Sequence, residues 1–121
     1  MTVTPEQAEK FADEWVEAWN AHDLDRILSH YEDDFEMSSP VIVRIMGEPS
    51  GTLKGKPQVA AYWRKALANA PDLRFEKLHV LRGANSVTII YRGHRGLSAE
   101  VFLFAKTGRV AAAFAHYERS Q

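Results

Sequence analysis

Apolar residues recur at helical spacing early in the chain and in strand-like alternation later on. Ala8, Phe11, Ala12, Trp15, Ala18 and Trp19 form one stripe with two Trp and a Phe on it. Thr4-Pro5-Glu6-Gln7 precedes the stripe as a capping box, with Pro at the first helical position. Asn20-Ala21-His22-Asp23 breaks this helix, and Asp23 is placed to cap a second, short one carrying Leu24, Ile27, Leu28 and Tyr31. Glu32-Asp33-Asp34 ends it, and 35–38 reads as a short strand stopped by Pro40. The apolar stretch 41–46 fits either a strand or a helical turn, because periodicity cannot decide over so few residues. Gly47-Glu48-Pro49-Ser50-Gly51 is a loop by composition. A third helix is expected over about 57–69, burying Val59, Trp63, Ala66, Leu67 and Ala70.

Four strands fit the remainder, roughly 73–81, 86–92, 97–105 and 109–118, with turns at Gly83-Ala84-Asn85, at His94 between Gly93 and Gly96, and at Thr107-Gly108. Leu73 and Phe75 share one parity, Leu78 and Val80 the other, so a bulge is expected near Glu76-Lys77. Helices first and strands afterwards predict an α+β domain rather than alternating βαβ units. A long bent antiparallel sheet curling over helices makes a cone with an interior.

Composition narrows the picture. The chain of 121 residues fits one domain, 1–121, and its 45% hydrophobic and 26% charged residues are an ordinary globular balance. A net charge of −1 argues against nucleic acid and against a membrane surface as partners. The lack of cysteine excludes disulfides, thiol catalysis and Cys-based zinc sites. The start, MTVTPEQ, has no apolar stretch of signal-peptide type, and no apolar run reaches the ~20 residues needed to span a bilayer. A cytoplasmic location is the expectation. The histidines lack metal-ligand spacing, and neither a phosphate-binding loop nor a Gly-x-Ser-x-Gly elbow is present. No cofactor or metal is implied. Glu9, Asp13 and Glu17, four apart on the first helix, read as a solvated acidic face.

Several stretches carry a resemblance. Trp19-Asn20-Ala21-His22-Asp23, then Tyr31-Glu32-Asp33-Asp34 and Ser38-Ser39-Pro40, look like the opening of SnoaL-like and ketosteroid-isomerase-like proteins. Gly51 to Lys56 leading into a helix with Tyr62-Trp63 matches their third helix, and Phe104 to Val110 resembles their last hairpin. The order and spacing of these motifs along nearly the whole chain are similar to that branch of the nuclear transport factor 2-like superfamily. The resemblance implies a cone-shaped fold: three N-terminal helices packed on a curved, mainly antiparallel sheet enclosing a pocket for a small hydrophobic molecule. It also implies a homodimer pairing through the outer face of the sheet.

Where steroid isomerases of this family keep their carboxylate base, this chain has Ser39, which cannot shuttle a proton unaided. Their oxyanion tyrosine matches Trp15, whose indole N–H can donate a hydrogen bond but not a proton. Their network tyrosines match Tyr31 and Trp63, and Met37 is assigned to the ligand wall with them. Their second acid falls at Glu100. Ser98, Glu100, Phe102 and Phe104 alternate onto one strand face, so Glu100 reads as an acid shielded by aromatics, with a raised pKa. It can serve as a general acid, as a base in place of the missing one, or as an ordinary glutamate paired with an arginine. On the last strand, family analogy favours Ala113, Ala115 and Tyr117 for the pocket, which turns His116 toward the outer face or a partner. His116 nevertheless stays among the ligand candidates because histidine suits catalysis. Trp19 is assigned to packing; His22 and His30 are expected to be exposed. Two readings remain: a cofactor-independent lyase, isomerase, cyclase or hydrolase with Glu100 and Tyr31 as catalytic residues, or a non-catalytic binding or dimerisation module.

Overall fold

A computed structural model of the chain describes residues 2–94 and 96–118. In chain order the elements are α1 (Pro5–Asn20), α2 (Leu24–Leu28), β1 (Tyr31–Ser38), α3 (Pro40–Met46), β2 (Thr52–Lys54), α4 (Lys56–Asn69), β3 (Glu76–Arg82), β4 (Ser86–Gly93), β5 (Gly96–Phe104) and β6 (Val110–Tyr117). The six strands form one curved sheet in the order β2-β1-β6-β5-β4-β3. Only β1 and β6 run parallel, and the other neighbours are antiparallel. The α+β cone expected from the sequence is the fold observed.

Local chemistry explains the helix starts. Thr4 and Gln7 satisfy each other's backbone N–H groups, the reciprocal box anticipated for α1. Asp23 caps α2 by accepting from the Arg26 N–H. Both caps match expectation. Residues 41–46 resolve as helix: Ser39 accepts from the Val41 N–H, Pro40 sits at the first position, and Gly47 closes the end with φ of 67°.

Tyr31 does not ride on α2, which stops at Leu28; it opens β1. The Glu32-Asp33-Asp34 run is not a helix end. It lies where β1 drifts out of register with β6, between the pairs Tyr31–Val110 and Glu36–Ala112. The bulged stretch turns Asp33 and Asp34 to solvent and leaves Tyr31, Phe35 and Met37 buried. The helical segments therefore number four among the described residues, α3 being the one beyond the three expected. In β3 the expected irregularity falls between Lys77 and His79.

The break after α1 fastens helix to sheet. The Asn20 side-chain amide donates to the Phe75 carbonyl at 3.0 Å, and its oxygen accepts the Phe75 N–H at 2.6 Å. His22, at φ of 54°, donates from Nε2 to the Leu73 carbonyl at 2.8 Å. His22 and His30 are thus half-buried rather than exposed. His30 sits edge-on to Phe11, and burial pushes its pKa down. The acidic face of α1 is likewise not purely solvated. Lys77 of β3 bridges Glu9 and Asp13, at 3.0 and 2.6 Å, and Arg26 pairs with Glu14 and Glu17. These pairs are exposed and contribute little each, whereas Asn20 closes two buried-edge backbone groups. We expect Asn20→Ala to destabilise the chain by about 2 kcal/mol, read as a lowered urea midpoint, because it leaves both groups of Phe75 unpaired.

Candidate functional site

The concave side of the sheet and the helices enclose a cavity of about 380 Å³, at the small end of the ~300–1,000 Å³ usual for ligand pockets. Each element contributes through its own period. Trp15 and Trp19, four apart, reach it from α1, and Tyr62, Trp63 and Ala66 from α4. Val41, Arg44 and Ile45 present one face of α3. From the sheet come Met37, Tyr91, Ser98, Glu100 and Tyr117, with Leu73 and Phe75 from the segment held by Asn20 and His22. Arg44, Asn69 and His94 are exposed and mark the mouth.

Beneath the cavity lies an aromatic layer centred on Trp15. Its ring stacks on Phe75 at 5.3 Å and meets Tyr91 and Phe102 edge-on at 5.2 and 5.3 Å. Its indole N–H donates to the Tyr31 hydroxyl at 3.0 Å, both groups being buried. Burial, reinforced by the nearby Glu100 carboxyl, holds the Tyr31 phenol well above its ordinary pKa.

Glu100 is the buried carboxyl on the cavity wall. The alternation read from the sequence holds: Ser98, Glu100 and Phe102 face inward and are buried, while Leu97 and Leu103 face out. Its Oε1 accepts a hydrogen bond from the Tyr91 hydroxyl at 3.3 Å. Tyr91 lies opposite Ser98 on the neighbouring strand. Desolvation raises the Glu100 carboxyl from 4.5 to about 8, and the bond from Tyr91 only partly opposes that. No arginine or lysine pairs with it among the described residues. A carboxyl raised to about 8 holds its proton at neutral pH and can donate it, or a hydrogen bond, into the cavity. The Tyr91 phenol is itself held well above its ordinary pKa by burial and by Glu100.

Of the residues anticipated for the site, Trp15, Met37, Trp63, Glu100 and Tyr117 line the cavity. Tyr31 and Phe102 are fully buried behind it and shape it through Trp15. Ser39 is buried just past the end of β1, where it caps α3 and accepts from the Tyr62 hydroxyl at 3.5 Å, and it does not line the cavity. His116 is a correction: strand parity turns it outward, exposed, with Nδ1 3.2 Å from the Phe114 carbonyl, and it does not reach the cavity. Trp19 is a correction in the other direction, since it lines the cavity as well as packing. Tyr62, Phe75 and Tyr91 were not singled out from sequence. The parity of Val87, Ile89 and Tyr91, all buried, was the available signal for the last. Ser39→Ala removes a helix cap and is expected to cost about 1 kcal/mol, measurable as a small fall in thermal midpoint with the cavity intact.

A curved sheet closed by helices around a cavity that holds a buried acid is the nuclear transport factor 2-like cone fold. The family model for the SnoaL-like domain matches residues 12–119, and the chain belongs to that family. A SnoaL-like protein of unknown function from Burkholderia thailandensis is 57% identical, with a TM-score of 0.94 over 98% of this chain and 100% of that one. A cystatin-like-fold protein of unknown function from Methylobium petroleophilum, 17% identical, superposes with a TM-score of 0.75 over 100% of this chain and 82% of its own. An NTF2-like protein of unknown function from Cytophaga hutchinsonii, 12% identical, gives 0.69 over 98% and 93%. The latter two show the fold alone. No curated protein matches the chain. Among the described residues no helix is long and apolar enough to cross a membrane, and no cluster of three or more His, Asp or Glu is placed to hold a metal ion.

Proposed function

We propose that this chain binds a small, largely apolar molecule in its cone and acts on it by cofactor-independent acid–base chemistry, with Glu100 as general acid. The observation that carries the reading is a fully buried carboxyl, raised to about 8, on the wall of an aromatic cavity. A neutral acid in that setting can protonate a carbonyl, epoxide or hydroxyl oxygen, the step that opens isomerase, lyase, cyclase and hydrolase reactions alike. Tyr91 orients the carboxyl through Oε1. Tyr31 holds Trp15 in place beside it. The test is a panel of apolar ketones, epoxides and hydroxy ketones followed by product analysis. Turnover of one of them should fall about 10²- to 10⁴-fold in Glu100→Gln while binding persists. Undiminished turnover in that variant would remove Glu100 from the mechanism.

A second reading, ligand binding without chemistry, is favoured by one observation. The side chain at the family's base position, Ser39, is committed to capping α3, so no carboxylate stands there. Retention of ligands without any product across the same panel would favour it.

The fold also supports a homodimer, proposed through the outer sheet face. Leu97, Leu103 and Phe114 are exposed there together. Light scattering should return twice the chain mass, and Leu103→Glu should return the monomer. The absence of nucleic-acid and membrane-surface partners is part of the same proposal, supported by the near-neutral charge, and a cytoplasmic location is proposed with it.

A further inference from the structure

The charged groups around the cavity are unevenly placed. The α3 stripe facing it runs Val41, Arg44, Ile45, so helical spacing puts the guanidinium on the same face as two apolar wall residues. Arg44 is the one arginine or lysine among the described residues that line the cavity, and it forms no ion pair with a described carboxylate that would compete for its guanidinium. Asn69 and His94 share the mouth with it and add further donors. Among the described residues the one carboxyl lining the cavity is Glu100, which is buried while Arg44 is exposed. The cavity thus has an arginine at its exposed rim and an interior of aromatic rings interspersed with hydroxyls and one shielded acid.

We propose that the cavity selects molecules with an apolar body and an anionic end, the body held among the aromatics and a carboxylate-type group held at the mouth by Arg44. The inference rests on the small-molecule pocket proposed above and specifies its ligand class. A cation at the rim favours an anion in two ways: directly, and by rejecting a cationic analogue of the same shape. The neutral state of Glu100 near pH 7 supports it, because no fixed negative charge then opposes the anion from within. Guanidinium suits a carboxylate because its planar donors can meet both oxygens.

The test uses three probes sharing one apolar body: phenylbutyrate, phenylbutanol and phenylbutylamine. Binding to the full chain is followed at neutral pH and low salt by calorimetry and by the emission of Trp15, Trp19 and Trp63, all of which line the cavity. Phenylbutyrate should bind about 5- to 10-fold more tightly than the alcohol, the amine should bind more weakly than either, and added salt should shrink the spread. Arg44→Gln, an exposed substitution, should bring the acid down to the alcohol and leave the alcohol unchanged. Equal affinities for acid and alcohol, or an unaltered ratio in Arg44→Gln, would overturn the anion preference while leaving the pocket itself standing. If none of the three binds or changes the emission, both the preference and the pocket reading fall.

Discussion

Glu100→Gln is expected to melt at a distinctly higher temperature than the parent chain at pH 9 and at nearly the same temperature at pH 5. The folded carboxyl is raised from 4.5 to about 8, so the folded state holds its proton more tightly than the unfolded state does. Its contribution is fully present below pH 4.5. It is lost as pH rises from there through about 8, because the unfolded chain ionises first and the buried group must then follow. Each pKa unit is worth about 1.4 kcal/mol, which puts the full difference at up to about 5 kcal/mol. Glutamine keeps the shape and a donor without titrating. The difference between the two proteins should therefore open between pH 4.5 and 8 and level off above. Other titrating groups are common to both proteins and largely cancel. Parallel melting curves across that range would mean that Glu100 is solvated or paired.

Trp15→Ala is expected to lower the melting temperature by roughly 10–20 °C. Removing a large buried aromatic costs about 3–5 kcal/mol, and a domain of this size gives up several degrees per kcal/mol. Trp15 is 1% exposed and touches Trp19, Phe75, Tyr91 and Phe102, so no neighbour can refill its volume without leaving its own place. The variant also leaves the buried Tyr31 hydroxyl without its donor. Trp15→Phe separates the two contributions: it keeps most of the ring contacts and deletes the N–H. Its loss should be a minor share of that in Trp15→Ala. Equal losses in the two would place the hydrogen bond, not the packing, at the centre of this layer.

The sequence disclosed what depends on regular period or on local capping chemistry. The α1 stripe, the Thr4 and Asp23 caps and the inward turn of Ser98, Glu100 and Phe102 are all of this kind. Features broken over a few residues stayed hidden. Tyr31 was read onto a helix because α2 has only five residues and the carboxylates after Tyr31 look like a helix end. A bulge lets that run sit inside a strand instead. The three residues of β2 are too short to show alternation. The pair Ser39-Pro40 did contain a helix-start signal, a capping side chain followed by proline, which outweighs reading the proline as a strand stop. In the site, strand alternation together with the family resemblance pointed to Glu100 and Tyr117, and both line the cavity. Tyr91, which bonds Glu100 across the strand pair, and Phe75, which packs on Tyr91 from the end of a clamped loop, come from tertiary register, which no single segment encodes.

Glu100 is expected to carry its proton into an aromatic-walled cavity at neutral pH. The most direct measurement is a ¹³C NMR titration of its side-chain carboxyl, assigned by difference from Glu100→Gln. The account predicts a midpoint near 8, far from the other glutamates. A midpoint between about 4 and 5, the ordinary range for a solvated glutamate, would contradict it.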